Sequence, residues 1–459
     1  MTFKQFFEPV DMTEGDPVSK IITFTLPMLV GNIAQQLYNT VDSIIVGRFV
    51  GDNALAAVGS AGPILNLMLV MFIGISVGAS IMVSQFFGAR QRDELSRAIG
   101  CCFTLTVVSS VIIMIVGPLI AGPLLRLLNT PDSILPWCTS YLTILFLGII
   151  GSGLYNILGG VLRGVGDSIS ALVYLLVATV LNIILDYVFV AWLDMGVAGV
   201  AWATIIAQAI SAILTVGKLL RMSDVFYFRL AYLRPESKYV TGLIRLGLPS
   251  GVTQAIFSMS MIIVQSLTNS FGELYIAANV IVMRIDGFVM LPAFSFGSAM
   301  TTYAGQNIGA GQMERVSIGT RRGTLVAMGI SAVITGLILL FGRYLMAIFT
   351  STPELIDMSY RCMSILAPGY IAMEVTQCLS GTMRGAGDTV TPMWISILAS
   401  VALRVPMAYG LVFLSRTPEL PQGSCYMMQV SLVLTWVMGA LITFLCYRLG
   451  RWKGKAIVT

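Results

Sequence analysis

Twelve stretches of this chain run for about 20 residues or more with apolar side chains and almost no charge, the length a helix needs to cross a bilayer core. No other feature limits the fold as strongly. Inside lipid every backbone N–H and C=O must find a partner within the protein, so a spanning segment is a helix or part of a closed barrel. The runs lack the short two-residue alternation of barrel strands. They cover about 20–47, 54–84, 96–120, 134–160, 168–192 and 196–220 (spans 1–6), then about 241–270, 275–305, 317–345, 356–382, 390–414 and 424–448 (spans 7–12). Several exceed the minimum, which implies tilt or kinks. Composition agrees: 11% of residues are charged, against about 25% in an ordinary soluble domain. The expected fold is an all-α integral membrane protein.

Charge sets the orientation. Of the 27 basic residues, 20 fall at one set of ends and loops, from Lys4, Lys20, Arg90, Arg92 and Arg97 through Arg163, the 218–245 stretch, Arg315, Arg321, Arg322 and Arg384 to Lys455. The other seven are Arg48, Arg126, Arg284, Arg343, Arg361, Arg404 and Arg416, on the opposite side or within spans. Both termini are therefore expected in the cytoplasm, and an even number of spans requires the same side for both. The first 19 residues lack the charged, apolar, small-residue order of a cleaved leader and read as a surface strap. The net charge of +5 is dispersed over short loops, which argues against a nucleic-acid partner. The seven cysteines have no metal-ligand spacing and read as packing residues. There is no histidine, so imidazole is excluded as base, ligand or proton carrier.

The chain repeats itself. "GGVLRGVGDS" (Gly159–Ser168) returns as "SGTMRGAGDT" (Ser380–Thr389), and "QFFGAR" from Gln85 as "QNIGAG" from Gln306, both 221 residues later. "TLPMLVG" from Thr25 matches "GLPSGVT" from Gly247 at 222. Two six-helix repeats follow. Because six is even, the halves point the same way and are related by an axis along the membrane normal, with a path for a solute between them. The expected organisation is a cytoplasmic segment 1–19, an N lobe 20–220, a linker 221–240, a C lobe 241–448 and a tail 449–459.

Four acids fall well inside spans: Asp42, Asp186, Asp286 and Glu374. A charge at the bilayer centre costs about 2.5–3.5 kcal/mol even on the lenient insertion scale, so each calls for a function or a partner. Asp42 lies about five residues from the outer end of span 1, and Asp186 and Asn182 about six and ten from that of span 5; Thr204 is about eight residues into span 6. At about 1.5 Å per residue these four share one layer. Asn182 and Asp186, four apart, share a helix face. Two carboxylates, an amide and a hydroxyl suit either a sodium ion or a trapped proton. The alternative is a hydrogen-bonded patch that glues spans 1, 5 and 6 together. At the repeat spacing Asp42 falls on Ile263 or Val264, Asn182 on Leu403 and Asp186 on Met407, so the second half lacks the group. That loss points to one task performed by one half.

The second half has its own ionisable set. Arg284 and Asp286 lie in span 8, and Glu374 in span 10. An Arg284–Glu374 salt bridge and a solute or ion site both remain open. Gln36, Tyr38 and Asn39 on span 1, with Gln254 and Met261 on span 7, are further candidates to line a solute cavity. Pro27 and Pro249 match between the repeats, and each removes a backbone hydrogen bond and permits a kink. The 26 methionines fit a wall that repacks around varied apolar ligands.

Together these features resemble the multidrug and toxic compound extrusion (MATE) family of cation-coupled exporters, over essentially the whole chain. The likeness rests on "LPMLVGNIAQQLYNTVDSIIVGRFVG" from Leu26, the two R-G-x-G-D segments, "QFFGAR", and "ALAAVG" from Ala54 echoed by "YIAANV" from Tyr275. "LNIILDYVFV" from Leu181 is similar to the corresponding helix of the DNA-damage-inducible-protein-F-like branch. The resemblance implies two lobes in a V, a proton or Na⁺ site at Asp42, Asn182, Asp186 and Thr204, and a kink at Pro27. It implies that neutralising Asp42 and Asp186 alters span 1 and releases an amphipathic, cationic solute by alternating access. Other branches carry an acid on span 7, where this chain has Gln254 and none. Glu374 falls near the span 10 acid of a branch with a C-lobe sodium site. The family implies small-molecule substrates, a lipid surround, a monomer in a bacterial inner membrane, no cofactor and no enzymatic activity. A flippase for lipid-linked substrates is the rival within the superfamily; mostly acidic intramembrane charge disfavours it. An enzyme lacks a catalytic constellation here, and a channel lacks a selectivity filter.

Overall fold

The computed structural model describes residues 8–458 apart from Asn129 and Phe228; the side chains of Asn39, Asp42, Ser43, Asp52, Leu55 and Leu67 lie outside the described set. Among the described residues there is no strand, and long helices follow one another along the chain. Spans 1–3 are Pro17–Phe49, Asp52–Gly88 and Arg92–Leu127. Span 4 is Leu135–Leu147 with Ile149–Gly164, span 5 is Ser168–Asp186 prolonged by a π-turn at Tyr187–Trp192, and span 6 is Gly196–Leu220. Spans 7–9 are Ser237–Asn269, Glu273–Val289 with Leu291–Gly309, and Met313–Ala347. Span 10 is Pro353–Leu366 with Gly369–Gly385. Span 11 is Val390–Ile397, a π-segment Leu398–Leu403 and Arg404–Leu414, and span 12 is Tyr426–Leu449.

Ten of these are long and apolar enough to cross a membrane, and span 4, bent by 53° at Gly148, makes an eleventh. The chain is thus a multi-pass membrane protein. Ile205 of span 6 packs where a Cβ on Gly148 would stand, so the bend lets the two spans approach. Span 10 is also two helices. Its break falls at Ala367–Pro368, where proline supplies no N–H to continue the ladder.

The doubled motif has a structural job in each half. Gly166 and Gly387 turn the chain with φ of 94° and 93°, a region glycine enters without strain. The following acids then cap the next helix. Asp167 accepts from Ser170 N at 2.9 Å and Asp388 from Thr391 N at 3.2 Å. The helix ending in each motif is seated by glycines: a Cβ on Gly164 would lie 2.8 Å from the Ser80 carbonyl oxygen, and one on Gly385 would collide with that of Thr301. One turn earlier, Gly160 meets Ser76 and Gly381 meets Gly297 in the same way. Every one of these pairs is offset by 221 residues.

Two compact units result. The first takes in Leu26–Gly251 and the second Met12–Thr25 with Val252–Ile457. The division therefore falls inside spans 1 and 7, beside Pro27 and Pro249, and not in the expected linker. The cause is local packing. In the second unit, Gln306 accepts from Met12 N at 2.9 Å, and Arg315 donates to Met12 O. In the first, Gly247 lies so close to Gly74 and Gly78 that a Cβ on either would come within 2.8 Å of its backbone. Small residues at such crossings let helix backbones approach in lipid.

Each unit has its own apolar core. Val46, Ala57, Leu142, Phe146 and Val200 are buried in the first, and Tyr275, Met346, Cys362, Met363 and Trp436 in the second. The seven cysteines are free thiols, five of them buried, as packing residues should be. The linker is docked by Tyr232, whose hydroxyl donates to Asp93. That hydrogen bond to a carboxylate holds the phenol above its usual range.

Candidate functional site

The first unit gathers a polar cluster between spans 5 and 6. Asn182 and Asp186 sit one turn apart on the last α-helical turns of span 5, and both are buried. Thr204 faces them from span 6. The Asn182 amide reaches Thr204 Oγ1 at 3.4 Å. Turned end for end, it donates to Asp186 Oδ2 at 2.8 Å and accepts from the Thr204 N–H at 3.2 Å, an orientation that satisfies both ends. Thr204 Oγ1 also donates to Val200 O at 3.0 Å. A π-turn starts at the residue after Asp186. Such turns loosen the ladder and recur at functional positions.

The structure thus brings together three of the four residues expected at this site. Asp42 is on span 1, and its side chain, like that of Asn39, is outside the described residues. Gln36 and Tyr38 are half-buried on the same helix, and Pro27 lies within it at the unit boundary. Among the described residues, no three His, Cys, Asp or Glu side chains gather as a metal site. One carboxylate, one amide and one hydroxyl are hard oxygen donors. They suit a proton or an alkali cation and not a transition metal.

The second unit places its ionisable residues differently. Asp286 Oδ1 accepts from the Tyr370 hydroxyl at 2.7 Å. Arg284 is exposed, and among the described residues it forms no ion pair with Glu374. Arg284 points to the exposed side of its helix while Glu374 is buried on span 10, and Asp286, two residues on, faces another way. Glu374 is buried on span 10, on a face shared with Cys378 and Thr382; Thr382 meets Thr320 of span 9 at 3.1 Å. Gln254 lines a cavity of about 110 Å³ within this unit, and Met261 and Asp286 line a neighbouring one of about 60 Å³.

Sequence reasoning missed Arg404. It counts there only toward orientation, yet the structure buries it to 7% exposure on span 11, lining both cavities. The signal was available, as a lone charge in an otherwise apolar run. The repeat register also needs one correction. The π-segment Leu398–Leu403 inserts a residue into span 11 ahead of Arg404, whereas the π-turn of span 5 comes after Asp186. The offset therefore grows from 221 to 222 across it, and the counterpart of Asn182 is Arg404 and not Leu403.

The comparisons with known proteins agree with this architecture. The family model MatE matches residues 27–188 and 249–410, two copies offset by 222. The probable multidrug resistance protein YoeA of Bacillus subtilis (strain 168) is 31% identical over 395 residues, covering 84% of this chain and 85% of its own length. The probable multidrug resistance protein YpnP of the same organism is 28% identical over 449 residues, covering 98% and 99%. A solved structure described as a MATE in complex with MaL6 superposes with a TM-score of 0.89 at 24% identity, covering 96% of this chain and 98% of that one.

Proposed function

The chain belongs to the MatE family, whose members are transporters and not enzymes, and from that membership we propose that it exports amphipathic, cationic drugs or toxic metabolites in exchange for an inward-moving proton or sodium ion. The observation that carries the coupling site is the Asn182–Asp186–Thr204 cluster in the first unit, with the amide and the carboxylate buried and the hydroxyl half-buried. Its relatives' names supply the substrate class, small-molecule drugs. In this reading Asp186, together with Asp42, holds the ion. Charging and discharging that layer biases a two-state equilibrium that a solute biases the other way. Span 1 is the element that changes, because Pro27 leaves its hydrogen-bond ladder incomplete. In this reading the protein is a monomer in a bacterial inner membrane, with both termini on the cytoplasmic side that the basic-residue bias favours.

The test is efflux of a cationic dye from proteoliposomes under an imposed pH or Na⁺ gradient. One of the two gradients should drive efflux, and Asp42→Asn and Asp186→Asn should each abolish the driven component while the proteins elute as folded monomers. Efflux that responds to neither gradient removes the antiport reading, and full driven efflux by both variants removes the site.

A further inference from the structure

The cavity of about 110 Å³ in the second unit is lined by two arginines and by no carboxylate. Its lining includes Arg384 and Arg404, hydroxyls such as Ser400 and Thr435, and the aromatic rings of Phe257 and Trp436. Among the described residues neither arginine makes an ion pair within 4.0 Å. The hydrogen bond recorded for the Arg404 guanidinium is a weak one, to Met261 Sδ at 3.8 Å. The residue is 7% exposed, so the donors that this bond leaves over face the cavity more than bulk water.

Arg384 is in a related position, and the repeat shows why. Its counterpart Arg163 donates to Ser76 Oγ at 3.0 Å. The residue matching Ser76 in the second half is Gly297, which has no side chain to accept. Losing that hydroxyl leaves the Arg384 fork to the cavity. Asp286 is the nearest opposite charge: it lines the adjoining smaller cavity beside Arg404 and acts on it from beyond ion-pair distance, while its Oδ1 is held by Tyr370.

A largely buried guanidinium with no carboxylate at ion-pair distance is poorly compensated, so a cavity lined by two arginines and no acid favours an anion. Arginine's planar fork matches the two oxygens of a carboxylate. The aromatic wall of Phe257 and Trp436 suits an apolar body. We propose that the Arg384–Arg404 cavity of the second unit binds the carboxylate end of a small amphipathic organic anion. The assignment rests on the cavity alone and goes beyond cation-coupled export. It is tested by binding without any gradient, so antiport can fail while it stands.

The probe is 4-nitrobenzoate, with 4-nitrobenzyl alcohol as its neutral analogue, read by quenching of Trp436 fluorescence in phosphatidylcholine nanodiscs. The carboxylate should bind about tenfold tighter than the alcohol, the factor expected of one charge-assisted hydrogen-bonded pair. Trp436→Phe should remove the quenching. Arg404→Gln should erase the preference, and Arg384→Gln should reduce it. Asp286→Asn, which removes the nearest competing carboxylate, should keep or raise it. Should Arg404→Gln fail to fold, Arg384→Gln and Asp286→Asn still decide the matter. Equal affinity for the two probes overturns the proposal, as does an anion preference that is undiminished in Arg404→Gln or in Arg384→Gln, or that collapses in Asp286→Asn. Displacement of the probe by equimolar inorganic phosphate, or by phosphatidylglycerol in the disc, would make a free ion or a lipid headgroup the occupant and overturn the assignment to an organic solute.

Discussion

Span 5 of the first unit and span 11 of the second begin alike and end with opposite polarity. Both start from R-G-x-G-D, both turn at a left-handed glycine, and in both the aspartate caps the helix. Both contain a π-segment, at Tyr187–Trp192 in one and at Leu398–Leu403 in the other. Where span 5 carries Asn182 and Asp186, span 11 carries Arg404. The difference teaches that duplication preserved what builds a helix and let diverge what the helix presents to the interior. Caps and glycine contacts constrain both copies equally, because each backbone must be satisfied and each crossing must close. A buried charge is constrained only by its own neighbours, so one copy can hold a carboxylate and the other a guanidinium.

The largest expected effect comes from forcing the two positions to be alike. Asn182→Arg places a guanidinium beside Asp186 and supplies the charge a coupling ion would bring. Gradient-driven efflux should fall by about tenfold or more, since displacing that internal cation from a buried carboxylate is costly. Driven efflux at the original rate would mean the two positions do not differ in task.

Next come the shared glycines. Gly160→Val and Gly381→Val should each destabilise by about 1–3 kcal/mol through overpacking, read as a lowered midpoint in thermal unfolding of the detergent-solubilised protein. A response in only one of them would break the equivalence of the two helix seats. Tyr370→Phe removes a donor from Asp286 and has no counterpart in the first unit; it should cost about 1.5–3 kcal/mol, the range for a hydrogen bond to a charged group. No change in the midpoint would show that Asp286 finds another donor. The smallest effect is at the caps. Asp167→Ala and Asp388→Ala should each cost about 1 kcal/mol, with Asp167 the larger because it also pairs with Lys218 at 3.3 Å. Equal losses would show that the lysine adds nothing.

Much of this was legible in the sequence. Apolar run length alone required spanning helices, because lipid offers no partner to an open backbone. The doubled motif and its 221-residue spacing revealed two halves, since each turn needs its own glycine and its own cap. Asp186, Asn182 and Thr204 could be grouped by counting residues along helices, as depth in a bilayer is proportional to position in the chain. Counting could not place residues around a helix relative to its neighbours, and that is where tertiary structure decided. It paired Asp286 with Tyr370 and turned Arg284 outward. It divided the units at Pro27 and Pro249, because the ends of spans 1 and 7 pack with helices far along the chain. It also moved Arg404 into register with Asn182, since one extra residue in a π-segment rotates everything after it by about 100°, a turn that hydrophobic runs do not record.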